Sequence, residues 1–323
     1  MTSPHTAIIE LDDVTKSFVV YRRNGRVRRV RTEIEAVSHL TLSVADGELL
    51  GYIGPNGAGK STTVKMLTGI LVPTSGSLRV AGVDPQRRRV DLARRIGVVF
   101  GQRTQLWWDL PLRDSFDLLR HVYRVPAADH RGRLDAFVEM LDMGPFLDTP
   151  VRQLSLGQRM RGDLCAALLH DPRILYLDEP TIGLDVVSKA RVREFLAGVN
   201  RDRGVTIILT SHDLTDVERL CSRLVVIDRG RVIADGTVES IKDTFGSHRT
   251  VVVDLEEAAP PLSVPLAEVV KVDGPRQWLR FGRADTTASE VIDAVVRQAR
   301  IRDLTVEEPD IDDVVTRIYT AGD

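Results

Sequence analysis

Gly54 and Gly59 have four residues between them and are followed at once by Lys60 and Ser61, in the run Gly54-Pro55-Asn56-Gly57-Ala58-Gly59-Lys60-Ser61-Thr62. This is the GxxxxGK[ST] spacing of a phosphate-binding loop. Glycines let successive backbone N–H groups turn inward around phosphate oxygens without interfering side chains. Lys60 is long enough to reach the β- and γ-phosphates, and the Ser61 hydroxyl is a suitable ligand for Mg²⁺. The pattern implies a site for ATP with Mg²⁺. A second constellation lies at Ile174-Leu175-Tyr176-Leu177-Asp178-Glu179, where an apolar run delivers two carboxylates at its end. Asp178 is suited to holding Mg²⁺ and Glu179 to orienting and polarising an attacking water.

Both constellations need rigid elements behind them. The apolar run Leu49–Ile53 reads as a strand entering the glycine-rich loop, and Lys60–Thr68 as the helix leaving it. That helix aims its positive N-terminal end at the same anion. Ile174–Leu177 reads as a buried parallel strand, and open α/β sheets bind ligands at the C-terminal strand edge. Further strands are expected at Ala7–Val14, Leu40–Val44, Ile96–Phe100, Val205–Leu209 and Arg223–Ile227. Helices are expected at Ser115–Val125, Arg133–Leu141, Leu156–His170, Val187–Asn200 and Asp213–Leu220. Strands alternating with helices give an α/β fold class.

The 323 residues suffice for one large domain and a smaller one. Net charge is −2, so bulk electrostatics do not suggest nucleic acid. From Ile241 onward 10 basic and 16 acidic residues leave −6, against +4 for the rest. We therefore place a boundary there, with a main domain over 7–240 and a small α+β appendage over 241–323. Strands at Thr250–Leu255, Trp278–Phe281 and Ile301–Val306 and helices at Ser289–Arg300 and Ile311–Tyr319 compose the appendage. Cys165 and Cys221 form no CxxC pair and read as reduced structural thiols. No signal-peptide pattern opens the chain, and no uncharged run of about eighteen apolar residues could span a bilayer. Six arginines surround Asn24-Gly25 between Arg22 and Arg31. That segment reads as a hairpin arm, solvated or forming a basic rim beside a nucleotide or an anionic membrane surface.

With these segments in order, the chain resembles the ATP-binding subunits of ABC transporters over roughly Ala7 to Ser240. Leu154-Ser155-Leu156-Gly157-Gln158 is similar to the LSGGQ turn of that family, with Leu156 where a second glycine is usual. The resemblance implies that Ser155, Gly157 and Gln158 close over the γ-phosphate held by an opposite subunit. It implies further that Gln102 senses Mg²⁺ and the attacking water, that His212 contacts the γ-phosphate, and that Asp185 lies at the subunit contact. Phe18, or Tyr21 in its place, would stack on adenine. The implied fold is the P-loop NTPase cassette, a mixed and parallel sheet core with a helical subdomain. The implied assembly is a head-to-tail homodimer, or a heterodimer with a second such ATPase, bound to integral-membrane permease subunits at the inner face of the membrane. The tail, especially Val306–Val314, resembles extensions of ATPases that serve separate exporter permeases. Trp107 and Trp108 either anchor a membrane partner or pack inside the helical subdomain. An importer ATPase, a soluble ATPase acting on ribosome or DNA, and a module that binds ATP without turnover are the other readings.

Overall fold

The computed structural model describes residues 7–24, 28–100, 103–211, 213–246, 248–282 and 284–321. The chain divides into two compact units, Met1–Asp235 and Gly236–Asp323.

In the first unit, β1 (Ala7–Asn24) and β2 (Arg28–Ala45) form a long antiparallel hairpin. The elements β3 (Leu49–Ile53), α1 (Lys60–Leu67), β4 (Ser75–Val80), α2 (Arg89–Ala93) and β5 (Ile96–Phe100) follow. Next come α3 (Leu112–Tyr123), α4 (Ala127–Met140) and α5 (Leu156–Leu168), which pack on one another as a helical layer. The chain returns through β6 (Ile174–Asp178), α6 (Val186–Arg203), β7 (Thr206–Thr210), α7 (Leu214–Leu220), β8 (Arg223–Asp228) and β9 (Arg231–Thr237). Among the described residues, the larger sheet has the order β5-β6-β7-β3-β8-β9, and the smaller has β2-β1-β4. The β5-β6-β7-β3-β8 pairings are all parallel. Covered on both faces, β3 and β7 are buried at every residue, as their unbroken apolar runs require.

The hairpin departs most from expectation. Its strands run well beyond Ala7–Val14 and Leu40–Val44. Strand β1 pairs with β4 only as far as Thr15, whereas its pairing with β2 continues to Asn24 opposite Arg28. Arg23 lies in register opposite Arg29, and Tyr21 opposite Arg31. Charged residues break the apolar alternation here, so the pattern understates a ribbon held by ladder hydrogen bonds. Gly25, expected at its turn, lies outside the described residues.

The second unit begins at Gly236, and β9 runs into it. It contains α8 (Val238–Phe245), β10 (His248–Leu255), β11 (Ala267–Asp273), β12 (Arg276–Gly282), α9 (Ala288–Val296), β13 (Ile301–Glu307) and α10 (Ile311–Ala321). Its antiparallel sheet has the order β11-β12-β10-β13 among the described residues. Val251, Val253, Leu255, Leu279 and Phe281 form a core with Val291 and Val295 of α9, while α8 packs on α10. Helix α9 starts at a capping box between Thr287 and Glu290 and ends at Val296, sooner than the expected Arg300, with residues 297–300 forming the turn into β13. Sequence reading missed β11, an edge strand whose residues are largely exposed and show little alternation.

No helix among the described residues is long and apolar enough to cross a membrane. Cys165 and Cys221 are free and buried, and burial raises both thiol pKa values.

Candidate active site

The glycine-rich loop joins β3 to α1. Gly57 at φ +85° and Gly59 at φ +105° occupy the left-handed region, and a Cβ at Gly59 would fall 2.4 Å from the Ala36 carbonyl oxygen. Only glycine serves at Gly59. Gly54 and Ala58 are buried, whereas Pro55, Asn56 and Gly57 form the exposed crest, with the Ala58 N–H donating to the Pro55 carbonyl at 3.1 Å. Lys60 opens α1 and bends back, its Nζ donating to the carbonyls of Gly54 at 2.5 Å and Pro55 at 3.1 Å. Burial holds its pKa below the usual value, opposed by the nearby Glu179 and Asp178 carboxylates. Ser61 is exposed and Thr62 half-buried at the head of the same helix.

Asp178 ends β6, beside Phe100 of β5 on one side and Thr210 of β7 on the other. The Thr210 hydroxyl donates to Asp178 Oδ1 at 2.6 Å. Glu179 takes the next position at φ +55°, a conformation unusual for a residue with a side chain, and its N–H donates to the Thr210 carbonyl at 3.0 Å. That turn brings Glu179 into a cleft of about 460 Å³ lined by Ser61, Lys65, Ile70, Phe100, Arg103, Asp178 and Glu179. The Ser61 hydroxyl and the Asp178 carboxylate are hard oxygen donors facing one cleft, a set that fits Mg²⁺.

Neither Ser155 nor Gly157 lines this cleft. Ser155 caps α5 through a complete capping box: its Oγ accepts the Gln158 N–H at 3.2 Å, and the Gln158 side-chain oxygen accepts the Ser155 N–H at 2.8 Å. Ser155 is exposed, and a Cβ on Gly157 would meet Ser188 Oγ at 2.9 Å. Asp185 caps α6, accepting from the Ser188 N–H at 2.9 Å and the Ser188 hydroxyl at 2.7 Å, bonds that lower its pKa. Around it Ile182, Val186 and Val187 are exposed, Val186 to 80%. Phe18 lies on β1 with 36% exposure, opposite Ile34, and Lys16 Nζ stands 5.2 Å from its ring centre.

A sequence profile of the ABC transporter family matches residues 37–182. The daunorubicin resistance ATP-binding protein DrrA3 of Streptomyces coeruleorubidus is 35% identical over 300 residues, 90% of this chain and 92% of that protein. The chain belongs to the ABC transporter ATP-binding family. The methionine import ATP-binding protein MetN of Geobacillus kaustophilus is 33% identical over 235 residues, 72% of this chain and 66% of that one. A bacterial ABC transporter cassette solved as a dimer is 26% identical, with a TM-score of 0.61 over 71% of this chain and 98% of that chain. This ABC transporter subunit is accordingly an ATPase with the α/β cassette fold.

Two residues expected in the ATPase site, Gln102 and His212, lie outside the described residues. Their flanks are ordered by neighbours. The Arg103 N–H donates to the Phe100 carbonyl at 3.0 Å, and Asp213 pairs with Lys189 of α6 at 2.6 Å. Trp107 and Trp108 are 40% and 50% exposed, and the Arg159 guanidinium lies 5.6 Å from a Trp108 ring centre. Sequence reading missed Thr210 and Asp163. Thr210 left a weak signal, a hydroxyl at the end of the apolar run Ile207–Leu209.

Proposed function

We propose that this subunit works as a head-to-tail dimer, with two ATP molecules held between phosphate loop and signature turn, and that it powers export of a small molecule through a separate permease. The observation that carries the dimer is a separation. Ser61, Asp178 and Glu179 share a cleft that Ser155 and Gly157 do not line, while that exposed turn heads its own helix. One chain thus holds both halves of a site that a second copy, or a second ATPase, completes.

In this reading the loop amides from Gly54 to Thr62 and the Lys60 ammonium hold the phosphates, and Phe18 stacks on adenine. Ser61, Asp178 and Gln102 would hold Mg²⁺, which would neutralise phosphate charge there. Glu179 orients and polarises the attacking water, helped by Gln102. His212 contacts the γ-phosphate. Ser155, the Gly157 N–H and the α5 dipole meet the partner's γ-phosphate, with Gln158 fixing the turn and Asp185 at the subunit contact. The permease holds the subunit at the inner face of the membrane.

Export is supported by the reach of one likeness. The match to the daunorubicin resistance protein spans 300 residues, more than the first unit contains, so it extends into the second unit. The match to the methionine importer spans 235. Cells carrying Lys60→Ala should accumulate more of a fluorescent anthracycline or related amphipathic dye than wild type. Reduced uptake would instead support import, and unchanged levels of every dye tested would contradict a small-molecule exporter of this class.

A further inference from the structure

Asp163 lies on α5, eight residues beyond Ser155, which places it about 12 Å along the helix from the signature turn. It is only 5% exposed. Its Oδ1 accepts the Thr104 hydroxyl at 2.8 Å and the Gln105 N–H at 3.1 Å, and its main-chain carbonyl accepts Gln105 Nε2 at 3.2 Å. Thr104 Oγ1 in turn accepts the Leu106 N–H at 3.1 Å. The neighbouring Gly162 keeps the segment close, since a Cβ there would fall 3.1 Å from Leu106 Cδ1. Residues 104–106 are therefore stitched to α5, while Arg103 is bridged to Phe100 at the end of β5.

We propose that Asp163 is a positioning residue for hydrolysis: it clamps the segment that follows Gln102 to the helix that carries the signature turn, so that the two move together. The inference rests on the reading of Gln102 as the group that contacts Mg²⁺ and the attacking water. In sequence Gln102 lies within the span closed by the Phe100–Arg103 bridge, two residues before Thr104, where the Asp163 clamp begins. A displacement of α5, when its N-terminus meets a second subunit's nucleotide, is then passed through Thr104 and Gln105 to the residue beside the attacking water. A buried carboxylate is a costly way to hold a loop. Burial pushes its carboxyl up to about 6, against the Thr104 and Gln105 hydrogen bonds that favour the ionised form.

The test compares Asp163→Ala, Asp163→Asn and Thr104→Val in the full chain. Asparagine keeps an acceptor oxygen, so Asp163→Asn should retain at least half of wild-type kcat. Asp163→Ala should lower kcat about tenfold and Thr104→Val about threefold, with ATP affinity by calorimetry within twofold of wild type. Amide hydrogen exchange over residues 103–106 should quicken in both variants, with the rest of the helical layer protected as before. Should Asp163→Ala fail to fold, Thr104→Val poses the same question. Wild-type exchange over 103–106 would overturn the clamp. So would a kcat loss that asparagine does not rescue, or one explained by a smaller folded fraction. Quickened exchange with wild-type kcat, while Gln102→Ala lowers kcat, would overturn the coupling. A Gln102→Ala variant that turns over at the wild-type rate would refute the role of Gln102 itself, and the exchange data would still judge the clamp.

Discussion

Thr210 donates its hydroxyl to Asp178 Oδ1 at 2.6 Å, while its carbonyl accepts the Glu179 N–H at 3.0 Å. One residue at the end of β7 thus orients the carboxylate proposed for Mg²⁺ and fixes the left-handed turn that carries the proposed catalytic one. Thr210→Val keeps shape and backbone but removes the hydroxyl. A hydrogen bond to a charged group contributes about 1.5–3 kcal/mol, part of which water at the cleft can replace. We expect kcat to fall about fivefold and the Mg²⁺ concentration for half-maximal rate to rise, with the fold intact by circular dichroism. A wild-type Mg²⁺ dependence would remove this role.

Lys60 donates to two loop carbonyls that can release it to phosphate. Lys60→Ala should weaken ATP binding at least a hundredfold, about 3 kcal/mol, measured by titration calorimetry. The loop backbone, set by Gly57 and Gly59 rather than by Lys60, should persist, so the melting temperature should change little.

The capping box separates structure from function at the signature turn. Ser155→Ala and Gln158→Ala should each cost about 0.5–1.5 kcal/mol of stability, seen as a melting-temperature loss of a few degrees for a chain of this size. Only Ser155→Ala should also weaken ATP-driven dimerisation, followed by light scattering. Equal dimerisation in both variants would restrict Ser155 to capping.

Asp163 gives the fold a pH signature. Its folded pKa, about 6, lies above the ordinary carboxylate value of 3.8. Its contribution to stability is therefore fully present below about pH 3.8 and is lost as pH rises through 6. The stability difference between wild type and Asp163→Asn should shift in favour of wild type by up to about 3 kcal/mol between pH 7 and pH 4. Parallel denaturant curves at those two pH values measure it, and a pH-independent difference would contradict the burial of this carboxylate.

Much of the fold was legible because the buried parallel strands are unbroken apolar runs bounded by loops. Leu49–Ile53 and Ile96–Phe100 were read to the residue, and Ile174–Leu177 to within one. The hairpin was not, since Lys16, Arg22 and Glu33 interrupt an alternation that the backbone ladder sustains. Edge strand β11 left no period to find. In the site, the phosphate loop and the Asp178-Glu179 pair were visible because their chemistry is contiguous in sequence. Thr210 and Asp163 were not, because each acts on a partner 32 to 59 residues away through one or two hydrogen bonds. Gln158 showed the reverse, a residue expected at the nucleotide whose side-chain oxygen holds the Ser155 backbone.

Completion of the catalytic site by a second copy of the chain is tested most directly by Glu179→Gln. With ATP and Mg²⁺ added, sedimentation velocity should show the variant passing from monomer to a stable dimer, with hydrolysis reduced at least a hundredfold and dimer formation weakened by adding Ser155→Ala. A Glu179→Gln protein that stays monomeric while binding ATP, or that hydrolyses it at the wild-type rate, would contradict the account.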